Sequence, residues 1–171
     1  METLRDFSRY LLFDRENGHF FWRPREGDDR ITKGWNVKFA GKRADRPMKI
    51  GYRRVRLLGT DYLAHRLAWL FYTGEMPRTE IDHVDGDRAR NVKINLRCAS
   101  RTEQSRNTVV SSRNKCGVKG VCFATREKKW VARVHIARKP VFIGYFRTLE
   151  AAAEAYRVNA AKHFGAFARA A

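Results

Sequence analysis

From Leu4 to Leu12 the apolar side chains recur at helical spacing behind Thr3, a candidate N-cap, so the chain is expected to open on a helix. Asp14 to Gly18 reads as a turn, and Phe20-Phe21-Trp22 after it favours strand. Two short aromatic and β-branched runs, Tyr52 to Leu58 and Tyr62-Leu63-Ala64, flank Gly59-Thr60-Asp61 and predict a hairpin. His65 to Tyr72 returns to helical spacing through Leu67, Ala68, Leu70 and Phe71, and Gly74 ends it. His65, at the start of an apolar helix, reads mainly as a structural ring, with a supporting role at a site left open. Further on, Val118 to Phe123, Trp130 to Ile136 and Val141 to Phe146 predict three strands, and Leu149 to about Phe164 an alanine-rich helix with Glu150 and Glu154 near its positive end. The polar stretch Thr108 to Gly117 separates the two patterns. The expected class is α+β in two domains, residues 1–110 and 117–171, joined by a linker at 111–116.

Composition narrows the function. The 171 residues are 43% hydrophobic and 12% aromatic, too apolar for a disordered basic tail. Lys and Arg number 36 against 18 Asp and Glu, a net charge of +18, which on a small folded chain points to a polyanionic partner. From Ser111 onward there are 13 basic and 3 acidic residues, against 23 and 15 before it, so the shorter part has the higher charge density. Cys98, Cys116 and Cys122 form no CxxC pair and fit neither a disulfide framework nor a cysteine-rich zinc module. No apolar run approaches the ~20 residues of a membrane span, and METLRDFSRYLLFD carries acids where a signal peptide needs a plain apolar stretch. A soluble cytoplasmic protein without a membrane partner is expected.

The chemistry concentrates in IDHVDGDRARNVKINLR, residues 81–97, where an acid and an imidazole stand side by side at a predicted strand end. A loop, a second short strand and a polar helix from Arg101 to Arg106 follow, with Asp82, His83, Asn95 and Gln104 as candidates to converge. Phosphodiester hydrolysis calls for such a set: a neutral imidazole to take a proton from water and oxygen ligands to hold a divalent ion. Asp85 and Asp87 also fit a simple capped turn, and Arg97 and Arg101 suit either a phosphate grip or a solvated face.

IDHVDGDRARNVKINLRCASRTEQSRN, preceded by HRLAWLFYTGEMP and by WNVKFAGK at Trp35 to Lys42, resembles the HNH endonucleases, the ββα-metal nucleases common in bacteriophages and mobile introns. The resemblance, from about Tyr10 to Asn107, implies a nuclease domain in which His83 is the general base, Asp82 a metal ligand, and Asn95 the asparagine that holds the loop and orients the histidine. It assigns the second metal position to Gln104, where family members commonly carry Asn or His; glutamine keeps the amide oxygen but adds a methylene. Asn107, three residues on, is an alternative ligand. The implied cofactor is one divalent ion, Mg2+ or Mn2+.

GVKGVCFATREKKWVARVHIARKPVFIGYFRTLEAAAEAYRVNAAKHFGAFA resembles the APETALA or ethylene-response-factor DNA-binding domains, through GVKGV, Lys129-Trp130, Ile143-Gly144-Tyr145-Phe146 and Thr148 to Ala152. That resemblance implies a three-stranded antiparallel sheet laid on duplex DNA, with Lys119, Arg126, Lys128, Arg133 and His135 placed to reach phosphates or base edges. The combined expectation is an α+β protein in which an N-terminal HNH ββα-metal domain precedes a small sheet-plus-helix DNA reader. It would be a monomeric, metal-dependent homing or nicking endonuclease acting on double-stranded DNA. The rivals are a DNA-binding regulator with a decayed nuclease site, which Gln104 would favour, and a nuclease of structured RNA.

Overall fold

The computed structural model describes residues 3–106, 110, 114–137 and 139–168; Asn107 and half of the expected linker lie outside them. The architecture is α+β, built from four small antiparallel sheets and five α-helices among the described residues. By contacts the chain divides into two compact units, Met1–Ala99 and Ser100–Ala171.

The first unit opens with α1 (Leu4–Ser8), where the Thr3 backbone N–H donates to the Asp6 carboxylate at 2.8 Å. The helix is shorter than its periodicity suggests. Leu11 and Leu12 instead belong to β1 (Leu11–Asp14), which pairs with β2 (His19–Trp22) in the register Leu11↔Trp22 to Asp14↔His19. Strand pairing satisfies these backbone groups while sinking Leu11 and Phe20 completely into the core, a burial that a longer exposed helix would forfeit. Asp14 caps the connecting turn, accepting from the N–H groups of Glu16 and Asn17.

A helix, α2 (Arg30–Phe39), follows; its pattern announces no apolar face, and none of its residues is buried. Next comes the sheet β3 (Asp45–Pro47), β4 (Arg53–Leu57), β5 (Thr60–Leu63), in that spatial order. The β4–β5 turn is Leu58-Gly59, both with positive φ, so Thr60 and Asp61 are strand residues paired with Leu57 and Arg56 and not part of the turn. The buried Asp45 anchors the sheet: it accepts from the Phe20 N–H and from Arg43 and Arg53. Burial alone would raise its pKa, but the two guanidinium groups and the Phe20 N–H hold it below the usual carboxylate range.

Helix α3 (Ala64–Thr73) buries Leu67, Ala68, Leu70 and Phe71, and stops at Gly74, whose φ of 85° lets its N–H close on the Leu70 carbonyl at 2.8 Å. The core gathers these with Phe7, Leu11, Phe20, Val55, Ile81 and Leu96. The unit closes with β6 (Glu80–His83), a loop ending in a 3-10 turn (Lys93–Asn95), and β7 (Leu96–Ala99).

The second unit begins with α4 (Arg101–Arg106), started by a reciprocal cap between Ser100 and Glu103. Its sheet is β8 (Val121–Ala124), β9 (Lys129–Ile136) and β10 (Lys139–Phe146), antiparallel with β9 central. The first strand starts three residues later than expected, because the chain bends tightly at Gly120, whose φ is 71° and where a Cβ would meet the Tyr156 ring at 2.2 Å. Helix α5 (Leu149–Phe164) is capped by Thr148 and packs Ala152, Tyr156 and Ala160 onto Val121, Ala132 and Val134. Among the described residues no helix is long and apolar enough to cross a membrane.

Candidate active site

Strands β6 and β7 pair as Ile81↔Cys98, Asp82↔Arg97 and His83↔Leu96. Alternation sends Ile81 and His83 towards the core side with α3, and Asp82 to the other face beside Arg97. The expected cluster is therefore partly assembled within one hairpin: Asp82, His83 and Asn95 are all buried at its loop end.

Asn95 is the brace of that loop. Its side-chain oxygen accepts from the Asp85 N–H at 3.0 Å and its amide donates to the Arg90 carbonyl at 2.8 Å, while its own carbonyl accepts from the Val84 N–H. Asp85 and Asp87 cap successive turns between, accepting from the N–H groups of Asp87 and Ala89, and Asp85 also pairs with Arg90. These bonds tie both ends of the loop to Asn95. The residue against the imidazole is a different one, Asn91, whose Oδ1 lies 3.1 Å from His83 Nε2. In the tautomer protonated at Nε2 this is a hydrogen bond to an amide oxygen, and Nδ1 carries the lone pair.

Asn91 is completely buried, and the β1–β2 turn packs directly onto it: a Cβ on Gly18, whose φ is 71°, would lie 2.5 Å from the Asn91 carbonyl carbon. The sequence holds little that marks Asn91 out, since it ends the polar run Asp87 to Asn91 with no spacing cue. The glycine at the tip of a distant hairpin is its structural counterpart.

Burial pushes His83 below its ordinary pKa, against the Asn91 hydrogen bond and the negative charges of Asp85 and Asp82, which pull it up. The ring is neutral at pH 7, the state a general base requires. His65 packs edge-on to it with ring centres 5.3 Å apart, and Tyr52 lies against both. Burial, then the charges of His83 and Arg66, lower the His65 pKa to about 3, and its Nδ1 has no hydrogen-bond partner among the described residues. His65 is thus a neutral wall of the His83 pocket.

Asp82 is held by Arg97, whose Nε and Nη2 both donate to Oδ2, at 2.9 and 2.7 Å. The side chain offered for a phosphate grip is thereby engaged with the carboxylate offered for a metal. Asp82 and Gln104 belong to different units, Gln104 and the exposed Arg101 being on α4. Among the described residues no three His, Cys, Asp or Glu side chains gather as a metal cage. The donors on offer are oxygens, the buried Asp82 carboxylate foremost, and it already carries a cationic partner where a cation would bind. Oxygen donors of this kind suit a hard divalent cation that takes one or two carboxylates plus substrate phosphate and does not require an all-protein cage.

In the second unit, Arg126 and Lys128 are exposed in the β8–β9 turn, and Arg133 and His135 are exposed on β9, opposite the buried Ala132 and Val134. Lys119 is half-buried before β8. On the same open face Phe142 and Tyr145 stack edge to face at 5.1 Å, both about half exposed. Trp130 packs partly against the core, with Phe123 on its edge.

Residues 62–106 match the sequence model of the HNH endonuclease family. The matched stretch lies in the middle of the chain, spans β5 to α4 and contains Asp82, His83, Asn95 and Gln104. This segment is similar to a nuclease. No curated protein matches the chain, and no solved structure does.

Proposed function

We propose that the protein is a divalent-metal-dependent DNA endonuclease of the homing or nicking type. The observation that carries this reading is the buried, neutral His83 ring, held at Nε2 by Asn91 inside the segment similar to HNH endonucleases. Water attacks a phosphodiester phosphorus, its proton passes to His83 Nδ1, and the bond to the leaving sugar oxygen breaks, that oxygen taking a proton from solvent to leave as the alcohol. Asn91 fixes the tautomer, Asn95 the loop, and His65 with Tyr52 keeps water from the back of the ring. A bound Mg2+ or Mn2+ would stabilise charge on the phosphate and the leaving oxygen. Asp82 would hold it, the family resemblance assigns Gln104 as a further ligand, and Arg97, paired with Asp82, would meet phosphate. The second unit would be a duplex-DNA reader, in which Arg133, His135, Arg126, Lys128 and Lys119 add affinity through phosphates, and Arg101 extends the basic surface. Tethering the two raises effective concentration without new contacts.

The test is nicking of supercoiled plasmid by the purified full chain, with magnesium and with chelator. His83→Ala should lower the rate by on the order of 10²–10⁴-fold while leaving duplex binding within about twofold. Asp82→Ala and Gln104→Ala should raise the metal concentration needed. Nicking that survives both the chelator and His83→Ala would sink the proposal.

A further inference from the structure

Helix α2 buries nothing, yet it is firmly placed. Asn36 clasps the chain before it at two points, its Oδ1 accepting from the Arg25 N–H at 2.8 Å and its Nδ2 donating to the Arg25 carbonyl at 2.9 Å. Trp35 stands edge-on to Trp22, and the Arg25 guanidinium lies 3.9 Å from its ring centre. Asp29 caps the first turn. At 100° per residue, Thr32, Trp35, Asn36 and Phe39 form the inward face, and all four are half-buried.

The outward face consists of Arg30, Ile31, Gly34, Val37 and Lys38, all exposed. An outward face on a soluble helix is ordinarily polar throughout. Here Ile31 is 82% exposed and Val37 85%, and between them stands a glycine that costs helix stability. Nothing lies within 4 Å of the point where a Gly34 side chain would begin, and its φ is an ordinary helical one, so neither packing nor backbone strain accounts for it. From Arg30 to Arg43 there are five Lys or Arg and no Asp or Glu. Arg43 is engaged with Asp45, and Lys33 reaches back to Asp28 at 3.3 Å between two exposed side chains. Arg30, Lys38 and Lys42 give the surface its charge, with the acids Glu26, Asp28 and Asp29 confined to the stretch before the helix.

We propose that the outward face of α2 is a docking surface for duplex DNA, entering the major groove. A groove ~12 Å wide admits an α-helix. Missing a side chain at Gly34, the backbone can approach the base edges closely, Ile31 and Val37 meet thymine methyl groups, and Arg30 and Lys38 on either side meet phosphates. Charge decides between DNA and a second copy: a cationic, acid-free segment on a chain of net +18 attracts a polyanion and repels itself. The inference rests on the nuclease reading and adds to it a contact surface in the first unit.

The decisive variant is Gly34→Gln in the full chain. It fills empty space and removes a helix-destabilising glycine, so thermal unfolding should move to higher temperature. Duplex binding, read by fluorescence anisotropy on a mixed-sequence oligonucleotide, should nevertheless weaken at least tenfold, because the new side chain holds the helix off the groove. Val37→Asp should weaken binding as much without unfolding the protein. A stabilised Gly34→Gln variant that binds duplex as well as wild type overturns the inference and leaves the nuclease reading intact. A change in molar mass on light scattering, with binding unchanged, would overturn it in favour of a second copy. Wild type that neither binds nor nicks duplex would bring down both.

Discussion

His83 and Arg133 both stand on antiparallel strands, and their surroundings are opposite. His83 is 3% exposed, its ring fixed by one amide and walled by two other rings. Arg133 projects from an open sheet face beside other exposed cations and two exposed aromatic rings. A general base needs a defined tautomer, a neutral ring and a lone pair turned to the attacking water, and buried neighbours supply the first two. A phosphate contact needs reach and charge, which exposure leaves intact. The His83 site thus spends its polar groups on preorganisation and the open sheet on accessibility.

The sharpest way to break this contrast is at Asn91. Asn91→Ala should slow nicking by about 10²-fold, the cost of a misplaced reacting group, with duplex binding little changed. Asn91→Asp keeps an acceptor against Nε2 but adds a negative charge that favours the imidazolium, so the acid limb of the pH–rate profile should move to higher pH. If that profile stays where it is in wild type, Asn91 is packing and no more.

A second effect comes from the buried histidines, which the open sheet has no counterpart for among the described residues. The folded His65 pKa is about 3, whereas an unfolded histidine titrates near ~6.5, so on acidification the unfolded chain takes up the proton first. Stability supplied by its burial is complete above about pH 6.5 and is lost as pH falls towards the folded value, at up to about 1.4 kcal/mol per pH unit. His83, shifted in the same direction, adds to the loss. Chemical denaturation between about pH 4.5 and 7 should show a shallower slope for His65→Phe.

The smallest expected effect belongs to the open sheet. Arg133→Gln should weaken duplex binding by a few-fold, evenly across sequences, and lower the salt slope by about 1. Nicking at saturating DNA should hold steady. A loss of turnover under saturation would mean that the two regions share the chemistry and that the contrast is false.

Much of the candidate site was legible because it is local. Asp82, His83 and Asn95 lie within one strand, loop and strand, and the need for an acid, an imidazole and a loop brace writes itself into a short stretch of sequence. Helix α5, expected from Leu149 to about Phe164, spans Leu149–Phe164, since the alanine run acts within a few residues; the Thr148 cap came only from the structure. Leu11 and Leu12 misled for the converse reason: a helical spacing and a strand can share an apolar pair, and the partner that decides, Trp22 with Phe21, comes after the turn. Helix α2 had no apolar face to read.

By itself the sequence determined the charge, much of the strand alternation, the course of α3 and α5 and the residue types of the candidate site, because each is a property of neighbours along the chain. Tertiary structure alone decided which asparagine meets the histidine, that Arg97 lies across from Asp82, and that Gly18 must be bare for the Asn91 loop to close. Those depend on strand register and on the approach of segments more than seventy residues apart, as Gly18 and Asn91 are, and no local pattern encodes a distance through space.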